Sequence, residues 1–283
     1  MTQVAFVGFG EAAHAFASGW GAAAQCRAYD LHAQTPRVQS RAMDAGLICQ
    51  ITPGAAIEGA SVVFCLVTAD QALAAAQTCA PHLMPGTLWL DGNSCSPGTK
   101  RKAAAVIETA GGAYVDLAIM APVQPRLHQT PGLVAGRHAA RAMALAQDLG
   151  MNWQVAGDAV GDASSIKMLR SVMIKGFEAL CAECLLAARK AGVEDAVLAS
   201  LQASDPGWNW RARGAYNLER MMVHGTRRAA EMREVAATLR ELGLPDAMAV
   251  ATAGWQDLLA DLALDGGADD LGNRADRILS ALP

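Results

Sequence analysis

The chain has 283 residues, is 52% hydrophobic and 18% charged, and carries a net charge of −4. That is enough for one large domain or two ordinary ones with a substantial core, and the lack of any basic tract or Lys/Arg cluster argues against nucleic acid. No uncharged apolar stretch is long enough for a bilayer, and no basic leader precedes the short apolar run at Val4–Val7. With seven scattered cysteines, this fits a reducing cytoplasm.

The first half alternates short β-rich runs with helical patterns. Candidate strands are QVAFVGF (3–9), QCRAYD (25–30), SVVFCLVT (61–68), GTLWLDG (86–92), AYVDLAIM (113–120), GLVAG (132–136) and NWQVAG (152–157). Several are apolar throughout, as in strands covered on both faces, and helical stretches such as 11–20 and 71–80 separate them. The series predicts a doubly wound, mainly parallel α/β sheet, a Rossmann domain over residues 1–158. Beyond it, Ile166, Leu169, Val172, Met173, Phe177 and Leu180 recur at helical spacing, so 162–192 reads as one long helix ending on Gly192. Residues 218–243 and 247–264 are also helical. The second domain, 159–283, is expected to be all-α, with a hinge near Gly157–Gly161. Cys181 and Cys184 form a C-x-x-C, but no second Cys pair or His pair completes a zinc site. Buried thiols are the expectation, and no metal is expected.

Gly8, Gly10 and Ala13 fit G-x-G-x-x-A where the first strand meets the first helix. Gly8 permits the tight turn, Gly10 lets a pyrophosphate approach the backbone, and Ala13 lets helix and strand pack closely. The helix N-terminus offers N–H groups to phosphate. The second strand ends in Asp30, twenty residues past Gly10, where a carboxylate hydrogen-bonds ribose hydroxyls and repels a 2′-phosphate. The expected cofactor is therefore NAD. NADP is the other candidate, because Arg27 and Arg37 flank Asp30. Cofactor contacts are expected from Gly8, Phe9, Gly10, Glu11, Ala12, Ala13 and Asp30, and from Leu66, Val67 and Thr68 near the switch point of the sheet.

Three further stretches are DGNSCSPGT (91–99), VDLAIMAPVQPRLHQTPG (115–132) and GDASSIKMLRS (161–171). With the glycine turn, they resemble the β-hydroxyacid dehydrogenase superfamily, which includes 3-hydroxyisobutyrate and 6-phosphogluconate dehydrogenases. The C-terminal stretch RMMVHGTRRAAEMREVAATLRELGLP (220–245) is similar to a branch whose helical domain is known only as a domain of unknown function. The resemblance spans nearly the whole chain and implies hydride transfer between nicotinamide and a small hydroxy acid bound between the domains. It aligns Lys167 with the family's catalytic lysine, Ser171 with the asparagine one turn later, and Asn93 and Ser94 with the substrate-side loop. A lysine there takes the hydroxyl proton in one direction and returns it in the other. Asn93 and Ser94 could equally cap the helix that begins near Pro97.

The departures are specific. Met120, Ala121 and Pro122 replace the Ser-Gly-Gly that holds the substrate carboxylate, and proline has no N–H to donate. Gln124, Arg126 and His128 could supply polar contacts, or form an exposed loop. Ile174 stands where phosphogluconate dehydrogenases carry a second acid, which argues against decarboxylation. Ala230-Glu231 aligns with a later Lys-Asp and removes that lysine. His224, Arg227 and Arg228 compensate or are solvated, and Lys175 is expected to be solvated. DPGWNWRARGAY (205–216) reads either as a pocket wall or as core. The apolar C-terminal helices suggest a homodimer. An imine or ketone reductase on the same scaffold and a non-catalytic NAD-binding sensor remain alternatives.

Overall fold

The computed structural model describes residues 2–282. The chain divides into two compact units, Met1–Met168 and Leu169–Pro283. The first is built on an eight-stranded sheet in the order β3-β2-β1-β4-β5-β6-β7-β8. Strands β1 (Thr2–Val7), β2 (Ala24–Tyr29), β3 (Cys49–Gln50), β4 (Val62–Cys65), β5 (Leu88–Asp91) and β6 (Ala113–Ile119) are parallel. Sequence order reverses between β1 and β4, which sets the switch point at their carboxyl ends. Strand β7 (Gly132–Ala135) runs antiparallel to β6, and β8 (Trp153–Gly157) parallel to β7. The reversal follows from the connection. Residues 120–131 contain one 3₁₀ turn, too little chain for the helical crossover a parallel neighbour needs. All seven expected strands are present. The additional strand, β3, has two residues, too few to leave an alternating pattern in the sequence.

Side chains alternate across the sheet with period two. Val4, Phe6, Phe64, Leu90, Val115 and Leu117 enter one core, under α1 (Glu11–Trp20), α2 (Pro36–Asp44) and α6 (Ala139–Asp148). Ala5, Val7, Val63, Cys65, Trp89 and Tyr114 enter the other, under α3 (Pro53–Ile57), α4 (Ala72–Cys79) and α5 (Pro97–Thr109). This explains the continuously apolar strands, which have no solvent face. Phe6, Phe9, Phe16, Trp20, Phe64 and Trp153 pack with ring centroids 5.3–6.0 Å apart, fixing α1 on β1 and β4.

Helix α7 (Asp162–Lys190) is continuous, as its spacing predicts. The division between units falls inside it, at Met168 and Leu169, rather than at 158/159. Its first turns belong with the sheet, because Ala163 packs with Ala118 and Ala135. The predicted apolar stripe is not the buried face: Ile166, Leu169, Met173 and Leu180 are 41–73% exposed. Cys181, Ala182, Leu185 and Leu186 instead join a core with Leu218, Met221, Leu259 and Ile278. That core also takes in α8 (Glu194–Ser204), α9 (Trp210–Glu241), α10 (Ala247–Asp261) and α11 (Leu271–Ala281). Helices α8 and α11 go beyond the sequence reading, and α9 begins earlier than expected, where Asn209 Oδ1 accepts the Ala212 N–H at 3.0 Å. Among the described residues no helix is long and apolar enough to cross a membrane. All seven cysteines are free; Cys181 is buried and Cys184 exposed.

Two glycines offer a test of the helical packing. A Cβ at Gly225 of α9 would lie 2.5 Å from the Gln256 carbonyl oxygen of α10, whereas one at Gly254 meets nothing within 4 Å. Gly225→Ala should therefore destabilise by about 1–3 kcal/mol through overpacking. Gly254→Ala should stabilise by about 0.5–1 kcal/mol through helix propensity. Urea denaturation of both variants checks the pair, and equal effects would contradict the close approach of α9 and α10.

Candidate functional site

The chain leaves β1 through Gly8 at φ +87°, a conformation that favours glycine. A Cβ there would lie 2.7 Å from the Leu66 carbonyl oxygen and 2.8 Å from Val67 Cγ1. The residues after β4 thus lie against the turn, with exposed Thr68 following them. Gly10 is glycine for a different reason. Its φ of −82° is ordinary, and a Cβ would meet nothing within 4 Å. It begins α1 with no side-chain cap, so the first-turn N–H groups at Glu11, Ala12 and Ala13 have no intrahelical partner. Ala13 is fully buried at the close approach of helix to strand.

Asp30 closes the same turn. Its Oδ2 accepts the Phe9 N–H at 2.7 Å and its Oδ1 the His32 N–H at 2.7 Å. Asp30 thus holds the backbone of the turn as well as the ribose position expected of it. A carboxylate accepts about four hydrogen bonds, so acceptor capacity remains for ribose hydroxyls. An open cradle at Gly10, unpaired N–H groups and an adjacent carboxylate fit a dinucleotide, with the pyrophosphate at α1 and the ribose at Asp30.

Asn93 lies just beyond the carboxyl end of β5 and is 3% exposed. Its Nδ2 donates to Asp91 Oδ1 at 2.7 Å and to Cys65 Sγ at 3.3 Å. Burial, reinforced by Asp91, pushes the Cys65 thiol pKa well up, so its sulfur stays protonated. Asn93 Oδ1 is buried without a hydrogen-bond partner. The alternative capping role belongs to Ser96, whose Oγ accepts the Thr99 N–H at 3.2 Å. Capping therefore leaves Asn93 and half-buried Ser94 unaccounted for.

Beneath Asn93 lies a buried charge cluster that the sequence reading missed. Lys100 of α5 is fully buried; its Nζ is 3.0 Å from Asp91 Oδ1 and 3.5 Å from Asp116 Oδ1. Burial opposes the ammonium, but Asp91 and Asp116 outweigh it and hold the pKa above the ordinary lysine value. The Tyr114 hydroxyl donates to Asp91 Oδ2 at 2.6 Å. On the far side, Asp116 Oδ2 accepts the Gly161 N–H (3.1 Å), the Ser164 N–H (3.0 Å) and the Ser164 hydroxyl (2.9 Å). Asp116 therefore serves as the N-terminal cap of α7, supplied from a neighbouring strand, with its charge favoured by the helix dipole. Removing one member of such a buried pair costs about 3–5 kcal/mol. A signal was visible: Asp91 and Asp116 interrupt apolar strands, and an acid in a strand covered on both faces must be paired.

Lys167 follows Ser164 by about one turn and is half-buried. Ser171, one turn later, is buried and accepts from Lys175 Nζ at 3.1 Å. Lys175 is not solvated: it is 5% exposed, with Nζ 2.9 Å from Glu231 Oε2. Arg228 is also buried, paired with Glu178, and Arg227 donates to Glu231 Oε1 at 2.7 Å. The acid at 231 thus keeps a lysine partner, supplied by α7 rather than by residue 230. In 205–216, Trp208 and Trp210 stack on each other, the Phe177 ring meets Trp208 edge-on, and the Arg213 guanidinium lies 5.0 Å from the Trp208 ring.

The residues proposed to replace the carboxylate cradle are scattered. The Met120 N–H already donates to the Pro131 carbonyl at 2.9 Å, and Pro122 has none, so two of the three backbone donors are lost. Ala121 is half-buried, and Gln124 and Arg126 are exposed. His128 packs on Gly19, where an added Cβ would lie 2.1 Å from its Nδ1. That is about 13 Å along α1 from Gly10, so His128 is not brought to the phosphate turn.

These features define a dinucleotide-binding Rossmann domain, and comparisons with known proteins agree. Residues 3–146 match the model of the NAD binding domain of 6-phosphogluconate dehydrogenase, and 188–259 match a domain of unknown function (DUF1932). The chain belongs to this family of 6-phosphogluconate dehydrogenase-type NAD-binding proteins, and its first unit is an NAD(P)-binding domain. It is 39% identical to a conserved hypothetical protein from Sinorhizobium meliloti 1021, covering 100% of this chain and 97% of that one, with a TM-score of 0.75. The fold is shared with Mycobacterium tuberculosis 3-hydroxyisobutyrate dehydrogenase solved with L-serine (18% identity, 98% of each chain, TM-score 0.74). It is also shared with an Aspergillus terreus reductive aminase solved with NADPH and ethyl levulinate (18% identity, 98% and 99% covered, TM-score 0.58). An uncharacterized 28.5 kDa protein of Methanothermus fervidus is 28% identical over 149 residues, which span 53% of this chain and 56% of that protein.

The two glycines of the turn should separate on substitution. Gly8→Ala meets backbone at 2.7 Å and should lower both thermal stability and NADH affinity. Gly10→Ala should leave the melting temperature unchanged and weaken NADH binding about tenfold or more, because only the dinucleotide competes for that space. Thermal melts and NADH fluorescence titration check this; unchanged affinity in Gly10→Ala would remove the pyrophosphate from α1.

Proposed function

We propose that the protein is an NAD(P)-dependent dehydrogenase of small hydroxy acids, with Lys167 as general acid and base. The observation that carries this reading is Asn93 Oδ1, a buried acceptor without a partner at the carboxyl edge of the sheet, beside the strand end that touches the glycine turn. When bound, the nicotinamide accepts or delivers the hydride. Asn93 presents an acceptor to the carboxamide N–H of the cofactor or to the substrate hydroxyl. Lys167 takes the carbinol proton as the carbonyl forms and returns it in reduction. Ser171, one turn along the same helix, orients the substrate oxygen. Ser94 and the backbone near Ala121 contact the acid group differently from the usual cradle, because the Met120 N–H is engaged.

Asp30 favours NAD, and a Kd for NADPH equal to that for NADH would contradict its role. Against a panel of 3-hydroxy acids with NAD, Lys167→Ala should lower kcat by about 10²–10⁴ with cofactor affinity preserved. Unchanged turnover would remove Lys167 from the chemistry. Cofactor binding with no turnover of any alcohol or ketone would favour a sensor, and turnover only of a ketone with an amine would favour an imine reductase.

The same reading includes a homodimer built on the exposed stripe of α7. Ile166, Leu169, Met173 and Leu180 are costly to leave in water, and a second copy of the helix would cover them. Sedimentation at micromolar concentration should give a dimer, and Met173→Glu/Leu180→Glu a monomer. A wild-type monomer would refute the assignment.

A further inference from the structure

We infer that Lys100 is a positioning residue that couples the placement of Asn93 to that of Lys167. The inference rests on the dehydrogenase reading for what those two residues do, and on the geometry of the first unit for the coupling itself. An ammonium has three donors and no acceptor. Those of Lys100 are directed to the Asp91 carbonyl, to Asp91 Oδ1 at 3.0 Å, and toward Asp116 Oδ1 and the Leu117 carbonyl, each at 3.5 Å. With no exposed surface and its donors engaged, Lys100 does not touch substrate. It acts through its neighbours.

Each carboxylate it neutralises organises one part of the site. Asp91 Oδ1 accepts both the Asn93 N–H (3.0 Å) and Nδ2 (2.7 Å), which turns the Asn93 acceptor oxygen away from the strand end. Asp116 Oδ2 takes three hydrogen bonds from Gly161 and Ser164 and so fixes the first turn of α7, which leads directly into the turn that carries Lys167. Without the ammonium, two carboxylates share a water-free interior. Each then favours a protonated or rotated state that weakens its own hydrogen bonds. Asn93 and the α7 turn should therefore loosen together, although they share no direct bond.

The test uses two double variants, Lys100→Met/Asp116→Asn, which keeps Asp91, and Lys100→Met/Asp91→Asn, which keeps Asp116, each compared with its single Asp→Asn parent. Each double variant keeps the cluster at the wild-type net charge of −1, since one lysine and one aspartate charge are removed together. They should fold where Lys100→Met alone is strongly destabilised. Relative to the parent, amide hydrogen exchange should quicken in 92–96 in the first and in 161–168 in the second, while β1 stays protected. With NAD and 3-hydroxyisobutyrate as probe, kcat should fall about tenfold to a hundredfold, with KM for NAD unchanged. Exchange no faster than the parent's in either segment, or a kcat equal to the parent's, would overturn the inference. If the wild type turns over no hydroxy acid, the dehydrogenase reading fails, and exchange in the two segments still decides whether Lys100 couples them.

Discussion

Lys100 lies out of contact with water between Asp91 and Asp116, and much of the first unit is arranged around that ammonium. Two carboxylates on adjacent strands, in register with one another, would repel if left alone in an apolar interior. Paired with one lysine from the following helix, they become a rigid polar core between β5, β6, α5 and α7. Outward from it run the Tyr114 hydroxyl, the Asn93 amide and the capped end of α7. The rest of the sheet is held by apolar contact, which packs strands and helices but aims few polar groups. The charge cluster supplies direction at the carboxyl edge, where α/β sheets hold ligands.

The cofactor end is organised by a different constraint. Gly8 is required by its own backbone angle and by the approach of Leu66, while Gly10 leaves space that no protein atom fills. Asp30 ties the turn from the side by accepting the Phe9 N–H. A ribose would thus meet a carboxylate already oriented by backbone, which lowers the entropy lost on binding. The dinucleotide turn and the charge cluster meet at the end of β4, where Leu66 touches Gly8 and Cys65 accepts from Asn93.

In the second unit, buried polar groups pair in the same way. Lys175 with Glu231 and Arg228 with Glu178 join α7 to α9, and Gln256 adds a bond from α10 to Glu178. These pairs account for a face of α7 that carries Ser171, Lys175 and Glu178 inward and the apolar stripe outward. Helical periodicity alone assigns the apolar residues to the core, because it does not register that charges can be buried when matched.

Several features were legible in the residues themselves. The strand series, the glycine turn, Asp30 and the long helix follow from local pattern: continuous apolar β-rich runs, turn chemistry and 3.6-residue spacing act over a few residues at a time. Lys167 and Asn93 are assigned by a resemblance of the stretches around them to a family, and their roles stand as proposals. Other features depend on residues distant in the chain meeting in space. Asp91, Lys100 and Asp116 are separate letters until β5 and β6 pair, and Lys175 reads as a surface lysine until Glu231 arrives from another helix. The sequence by itself determined that a Rossmann sheet would form and that its first strand would turn into a helix on glycine, because both are set by short-range backbone chemistry. Only the tertiary structure decided which charges are buried and which oxygen of the site is left without a partner, because burial and pairing are properties of the assembled neighbourhood.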